Sequence, residues 1–403
     1  MSNAFDFKAL RRFPDLEADN LVAVDATDRL VLAEAGPAIE AAPAGCVVVV
    51  GDRYGAMTLG AIALHGAQDV RVHQDPITGE QALAHNAIRV ELAGRFRHLP
   101  MTSELFAGAT VIIGQLPKGL DALRELAQLA AAHADADVNV FLGGRVKHMT
   151  RSMSDTLGDR FASVSASLAQ QKSRVLMVSD PLPEFRAGPT DYPLRQHHAD
   201  LNLWVCAHGA AFAGTKVDAG TRFLLEFLDR MNPTAASAVD LGCGTGVIAA
   251  SLARSRPMMN VLATDQSAAA VASAAATAAA NELMAQVRVL RDDAMSTLPD
   301  ASVDLILCNP PFHLGTSVHA GAALKLFDAA GRVLGPGGEL WTVFNSHLAY
   351  DGQLNRAVGP TSVVGRNAKF TVTVSTRRGN GPAHVAGRVI VQTLPLPNKE
   401  TQR

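Results

Sequence analysis

Cysteine is sparse. Cys46, Cys206, Cys243 and Cys308 are scattered over 403 residues without metal-type spacing. That argues against a disulfide framework or a cysteine zinc site, and it fits a reducing cytoplasm. Long apolar runs are missing too. The longest, such as Val47 to Val50, are strand-sized and far short of a membrane span. The first residues, MSNAFDFKALRRF, lack the apolar core of a signal peptide. Net charge is only −2, so a nucleic-acid partner has to be met by a local basic patch and not by the surface as a whole. What remains is ordinary globular composition, 48% apolar and 18% charged, with length enough for two domains or more.

In the second half, short apolar segments alternate with helical ones. SAVDLG (237–242), NVLAT (260–264), VRVL (287–290), VDLILC (303–308) and ELWTVF (339–344) read as strands. VIAASLARS (247–255), the Ala-rich run 267–280 and a segment at about 321–334, stopped by GPGG, read as helices. This rhythm predicts a doubly wound parallel sheet, which KFTVTVST (369–376) can close as an antiparallel strand. The first half repeats the rhythm with CVVVVG (46–51), DVRVH (69–73), ATVIIG (109–114), VNVFLGG (138–144) and SRVLMVS (173–179), and a helix at about 119–133. Aligning Gly51 with Gly242 also aligns Gly55 with Gly246 and brings Gln115-Leu116-Pro117-Lys118 onto Asn309-Pro310-Pro311-Phe312. Either the chain is an internal duplication or it joins two unrelated domains with similar strand spacing. In the first copy Val49 replaces Asp240 and Arg53 replaces Gly244, so that half is expected to keep the fold, lose the cofactor and fill the ligand space with Arg53. The Pro-rich stretch 181–198 is the expected linker.

VDLGCGTGVIA (239–249) joins a strand to a helix, and Gly242, Gly244 and Gly246 let the backbone turn and approach a ligand at the carboxyl edge of the sheet. Asp240 is placed to accept from a ligand amine. Asp265, ending the next strand, is placed to hold ribose hydroxyls. A glycine triplet alone fits NAD, FAD, S-adenosylmethionine or a bare turn. The G-x-G-x-G spacing with an acidic start is the form of class I methyltransferases and favours S-adenosylmethionine. Asp293 follows the third strand where an adenine contact is expected. Asp292 competes for that role, and either can be a solvated strand-end acid.

The fourth strand ends in Asn309-Pro310-Pro311-Phe312-His313. An exocyclic base amine is a poor nucleophile, because its lone pair is delocalised into the ring. It needs acceptors for its hydrogens, which the Asn309 oxygen and the Pro310 carbonyl can be. The prolines stiffen the loop and Phe312 offers a face for a flipped-out base. No metal is required. The plain alternative is a Pro-rich loop with a buried Phe. His313 either touches the substrate or only caps the loop.

DLGCGTGVIA, NPPFHLG and the doubled α/β layout, covering roughly residues 20 to 378, resemble the bacterial ribosomal RNA guanine-N2 methyltransferases. QLPKGLDAL (115–123), GGRVKHMTRSMSDTLGD (143–159), ELWTVFNSHLAY (339–350) and GRNAKFTV (365–372) look like the large-subunit type. FAGTKVDAGTRFL (212–224) resembles the family's cofactor-cap segment and carries over Asp218 and Thr221, with its basic residue moved to Lys216. The resemblance implies two tandem Rossmann-like class I methyltransferase domains, the N-terminal one degenerate. Their expected bounds are 1–190 and 200–378, with an extension at 379–403. It implies a cytoplasmic enzyme that methylates a guanine N2 in ribosomal RNA, 23S over 16S, on free RNA or a subunit precursor. S-adenosylmethionine would be consumed and S-adenosylhomocysteine released. NPPF also occurs in DNA adenine-N6 methyltransferases, and a close variant in protein glutamine methyltransferases. A non-catalytic RNA-binding assembly factor is the remaining rival.

Arg145, Lys147, His148 and Arg151 form a basic segment in the first half, suited to phosphate contacts. Arg366, Lys369, Arg377 and Arg378 are expected to frame the active cleft, and Asn345 and His347 end the strand nearest the target motif. For each of these a solvated charged face is the plain alternative.

Overall fold

Four successive valines, Val47–Val50, form a strand buried on both faces, as a central parallel strand must be. Val47 and Val49 enter one apolar core and Val48 and Val50 another, because successive side chains point to opposite faces. The computed structural model describes residues 5–15, 17, 21–311 and 317–378, the side chains of 317–320 excepted.

In the first half, α1 (Ala26–Ala41) leads into β1 (Val47–Val50), α2 (Ala56–His65), β2 (Val70–His73), α3 (Ile77–Arg89), β3 (Phe96–His98) and α4 (Ser103–Phe106). Then come β4 (Val111–Gln115), α5 (Leu120–His133), β5 (Asn139–Arg145), α6 (Arg151–Gly158), β6 (Phe161–Ala166) and β7 (Ser173–Pro181). A hairpin of β8 (Leu194–His198) and β9 (Leu203–Ala207) follows. The second half runs α7 (Ala219–Leu225), β10 (Ser237–Leu241), α8 (Val247–Ser255), β11 (Asn260–Asp265), α9 (Ala268–Ala280) and β12 (Val287–Arg291). It ends with β13 (Val303–Cys308), α10 (Ser317–Val333), β14 (Leu334–Asn345), α11 (Asp351–Ala357), β15 (Thr361–Arg366) and β16 (Phe370–Thr376).

The two seven-stranded sheets have the same order, β3-β2-β1-β4-β5-β7-β6 and β12-β11-β10-β13-β14-β16-β15. In each, five strands pair in parallel and the last two pairings are antiparallel, so only β7 and β16 run against the rest. Register agrees as well. Val50 pairs with His73 and Gly114, as Leu241 pairs with Thr264 and Cys308, so Gln115 holds the place of Asn309. Three details depart from the sequence reading. GPGG does end the helix, which runs Ser317–Val333, but Gly335–Gly338 form a bulge inside β14, between the pairs Val303–Leu334 and Leu305–Glu339. The linker carries a strand, β8. Its hairpin partner β9 docks on α9: Asn281, Thr277 and Ser273 accept from the amides of Trp204, Cys206 and His208 at 3.0, 3.0 and 2.9 Å. Four residues of helix rise about 6 Å and two of strand about 6.7 Å, so an i, i+4 row on the helix matches alternate strand residues. The Ala-rich run thus has a polar stripe with a function. Lastly, Arg377 lies at the amino edge of the second sheet, not at the cleft. β16 runs antiparallel to β14, and the Arg377 guanidinium donates to the Arg332 carbonyl at 2.6 Å, a strand's length from Lys369. Arg378 follows it there.

The halves meet through reciprocal backbone bonds: Ile77 N to the Gln266 oxygen, 2.9 Å, and Ala268 N to the Asp75 oxygen, 2.8 Å. Arg291 adds the carbonyls of Gln74 and Asp75 at 2.7 and 2.9 Å and an ion pair with Glu80 at 2.6 Å.

Candidate active site

Strands β10, β11 and β13 end together, which gathers the glycine loop, Asp265 and Asn309 on one edge. Gly242, Gly244 and Gly246 have φ of +74°, +52° and +75°. At Gly246 glycine is needed twice over, since an added Cβ would lie 2.9 Å from both Cα and Cβ of Ala274. At Gly244 an added Cβ would meet nothing within 4 Å, so the loop borders open space.

Asp240 is buried. One oxygen accepts from Ala249 N at 2.9 Å, and the other, Oδ1, has no partner among the described residues. Burial pushes its pKa up to about 7, helped by the nearby Asp265. Asp265 accepts from Gly244 N at 3.1 Å and Ser267 N at 2.9 Å, and burial raises its pKa too. Of the rival acids, Asp292 is committed: it accepts from Ser296 Oγ at 2.5 Å, Thr297 Oγ1 at 2.7 Å and Thr297 N at 3.0 Å. Among the described residues, the Asp293 side chain pairs with Lys325 from α10. An unpartnered buried carboxylate oxygen beside an open glycine cradle suits a cationic, amine-bearing cofactor.

Asn309 donates its Nδ2 to Asp218 Oδ2 at 3.1 Å and to Thr221 Oγ1 at 2.9 Å, while its buried Oδ1 accepts nothing among the described residues. Asp218 caps α7 and accepts from Gly220 N at 2.8 Å and Thr221 N at 3.3 Å. Asp218 and Thr221, grouped with the cofactor on sequence, therefore stand directly against Asn309. Pro310 is buried behind it. Phe312 and His313 lie outside the described residues. Asn345 is brought to the same edge. It pairs with Phe370, its Oδ1 is also buried and without a partner among the described residues, and Lys369 stands over the Phe370 ring at 5.1 Å. His347 is exposed in the short helical turn just after Asn345.

In the first half the equivalent edge is open. Arg53 does not fill it; a cavity of about 930 Å³ remains, lined by Gly51, Arg53, Gln115, Lys118, Arg145 and Lys147 among others. Arg145 and Lys147 are exposed there, and Arg151, one helical turn from Asp155, stands outside the lining. The acid lost at Val49 reappears at Asp52, whose carboxylate accepts from Thr58 N at 2.7 Å, the counterpart of the Ala249 amide held by Asp240. The two helix starts are thus anchored alike, by Asp52 in the first half and Asp240 in the second. Among the described residues no group of three or more His, Cys, Asp or Glu could hold a metal, and no helix is long and apolar enough to cross a membrane.

The methyltransferase small domain family matches residues 202–374, and the RLMG N-terminal domain family matches residues 1–181. The ribosomal RNA large subunit methyltransferase G of Streptomyces coelicolor is 34% identical over 384 residues, covering 92% of this chain and 98% of the relative. That of Shewanella amazonensis is 31% identical over 369 residues, covering 90% and 94%. The solved structure of the T. thermophilus 16S rRNA N2 G1207 methyltransferase with AdoMet and guanosine superposes with a TM-score of 0.68 at 21% identity. It covers 88% of this chain and 92% of that one, and shares its fold.

Proposed function

Because the chain belongs to the ribosomal RNA large subunit methyltransferase G family, we propose that it transfers a methyl group from S-adenosylmethionine to the exocyclic N2 of a guanine in 23S ribosomal RNA. The observation that carries the chemistry is the unpartnered Oδ1 of Asn309 at the edge shared with the glycine loop. Gly242, Gly244, Gly246, Asp240, Asp265 and Asp293 hold the cofactor, Asp240 Oδ1 taking its ammonium group. The bound cofactor supplies a methyl carbon already activated by its sulfonium charge. Asn309 Oδ1 accepts one N2 hydrogen, and the Pro310 carbonyl is placed to take the other. This turns the amine's lone pair away from ring conjugation and toward the methyl carbon. The N2–C bond forms as the C–S bond breaks, and the extra N2 proton then leaves to solvent. Phe312 is the expected stacking face for the base, and His313 an expected substrate contact. Asn345, His347 and Lys369 flank the base from the end of β14, the turn after it and the residue before β16. Arg145, Lys147 and Arg151 take phosphates in the first half, which we read as a positioning domain (1–190) for the catalytic one (200–378).

The test is methyl transfer from labelled S-adenosylmethionine to protein-free 23S and 16S RNA lacking their own modifications, with subunit precursors in parallel. N2-methylguanine in 23S RNA is expected. Label in 16S RNA alone would move the target, and label only in a protein or DNA control would overturn the substrate class.

A further inference from the structure

We propose that Asp218 is a positioning residue, which decides which end of the Asn309 amide meets the substrate. The inference rests on the reading of Asn309 as acceptor for the base amine. A side-chain amide has a donor end and an acceptor end of nearly the same shape. With the wrong end forward, its NH₂ would face the amine's own hydrogens and repel the substrate it should hold. Two groups touch Asn309 Nδ2, and they differ in what they can specify. The Thr221 hydroxyl, 2.9 Å away, can donate or accept, so it tolerates either end. The Asp218 carboxylate, 3.1 Å away, only accepts, so it requires Nδ2 and sends Oδ1 the other way.

The acid is itself held in place. Its Oδ2 receives the Gly220 and Thr221 amides at the start of α7. Gly220 keeps the space beside Oδ1 clear: an added Cβ would lie 2.9 Å from Asp218 Oδ2, 3.3 Å from Phe370 and 3.5 Å from Asn309 Oδ1. The first half repeats the device without the catalytic amide. Gln115, in Asn309's place, donates Nε2 to Asp28 at 2.6 Å; Asp28 lies in the first turn of α1, three residues after its N-cap Asp25, whereas Asp218 is itself the N-cap of α7. Substrate contact lies on the amide's other end, at the buried and unpartnered Oδ1.

The experiment compares full-length Asp218→Ala, Asp218→Ser, Asp218→Asn and Asn309→Ala for methyl transfer to 23S RNA and for S-adenosylhomocysteine affinity. Serine keeps a helix cap but is too short to orient Asn309, so it separates helix stability from amide orientation. Asparagine keeps an acceptor oxygen. For Ala and Ser at position 218, kcat should fall about a hundredfold, the usual effect of losing one well-aimed transition-state contact, with cofactor affinity within about threefold of the parent. Asp218→Asn should recover to within about tenfold of the parent. The proposal is overturned if Asp218→Ser keeps full kcat, if saturating cofactor restores the Ala variant, or if Asn rescues nothing. If Asn309→Ala itself turns over normally, the reading beneath the proposal fails, and that result is distinct from any at position 218.

Discussion

As the proposed acceptor of the cofactor's ammonium group, Asp240 should make cofactor binding sensitive to pH in a way that can be worked out in advance. In the free protein burial moves its carboxyl from 3.8 to about 7. That is roughly 4 kcal/mol against the charged form, at about 1.4 kcal/mol per unit. A ligand ammonium on the unpartnered Oδ1 stabilises the carboxylate and returns most of this. Below pH 7 the ligand therefore has to displace a proton. Affinity for S-adenosylhomocysteine should weaken about tenfold per unit from pH 7 downward and level off above pH 8. Titration calorimetry in buffers of different ionisation enthalpy should register close to one proton released at pH 6 and about a tenth of that at pH 8. Asp265 is also raised by burial and lies close by, so the pair titrates together and the midpoint belongs to both. Asp240→Asn should bind more weakly and lose the pH dependence. Stability of the free protein has the corresponding sign: what the protonated Asp240 contributes is complete below about pH 4 and is lost as pH rises through 7. A flat affinity between pH 6 and 8, or a slope that survives Asp240→Asn, would refute the reasoning.

Gly246→Ala combines a left-handed φ with a Cβ 2.9 Å from Ala274 and should cost about 2–4 kcal/mol; thermal melts would read it, and an unchanged Tm would contradict the packing described. Thr277→Val strands the Cys206 amide inside the hairpin–helix contact. It should cost roughly 1–3 kcal/mol, and hydrogen exchange at the Cys206 amide should speed up while β10 stays protected. Arg145→Ala with Lys147→Ala should flatten the salt dependence of RNA binding by about two units of slope if both contact phosphates. An unchanged slope would remove them from the RNA interface.

The central strands are legible in sequence because both faces are buried and apolar: Val47–Val50 and Val303–Cys308 stand where their patterns put them. Within the two large sheets, the strands that go unread are peripheral. Phe96–His98 has only three residues, and Phe161–Ala166 and Thr361–Arg366 are largely exposed, so partners and not their own periodicity make them strands. The glycine motif and Asn309 declare themselves by residue type and by position after a strand. Asp218 does not. Its contact with Asn309 spans 91 residues, and a cap and an amide anchor look alike in sequence. Asp292 and Asp293 are inseparable as neighbours until Ser296 and Thr297 are seen to occupy one of them. The open cavity beside Arg53 is likewise a matter of where a long exposed side chain goes, which its identity does not specify.

The backbone bonds between the halves have a further consequence. Asp75 and Gln266 occupy equivalent places in their sheets, as do Ile77 and Ala268, and each half gives the other the same donor and takes the same acceptor. Such a contact is isologous, the kind made by two identical subunits about a two-fold axis. The chain thus contains the interface of a symmetric dimer within a single polypeptide. A half freed from its partner exposes a self-complementary edge, so either half produced alone should pair with its own copy. Sedimentation at rising concentration would reveal it, and the Arg291–Glu80 ion pair, which takes one residue from each half and has Pro100 and Val271 at the equivalent positions, would favour the mixed pair over either matched one.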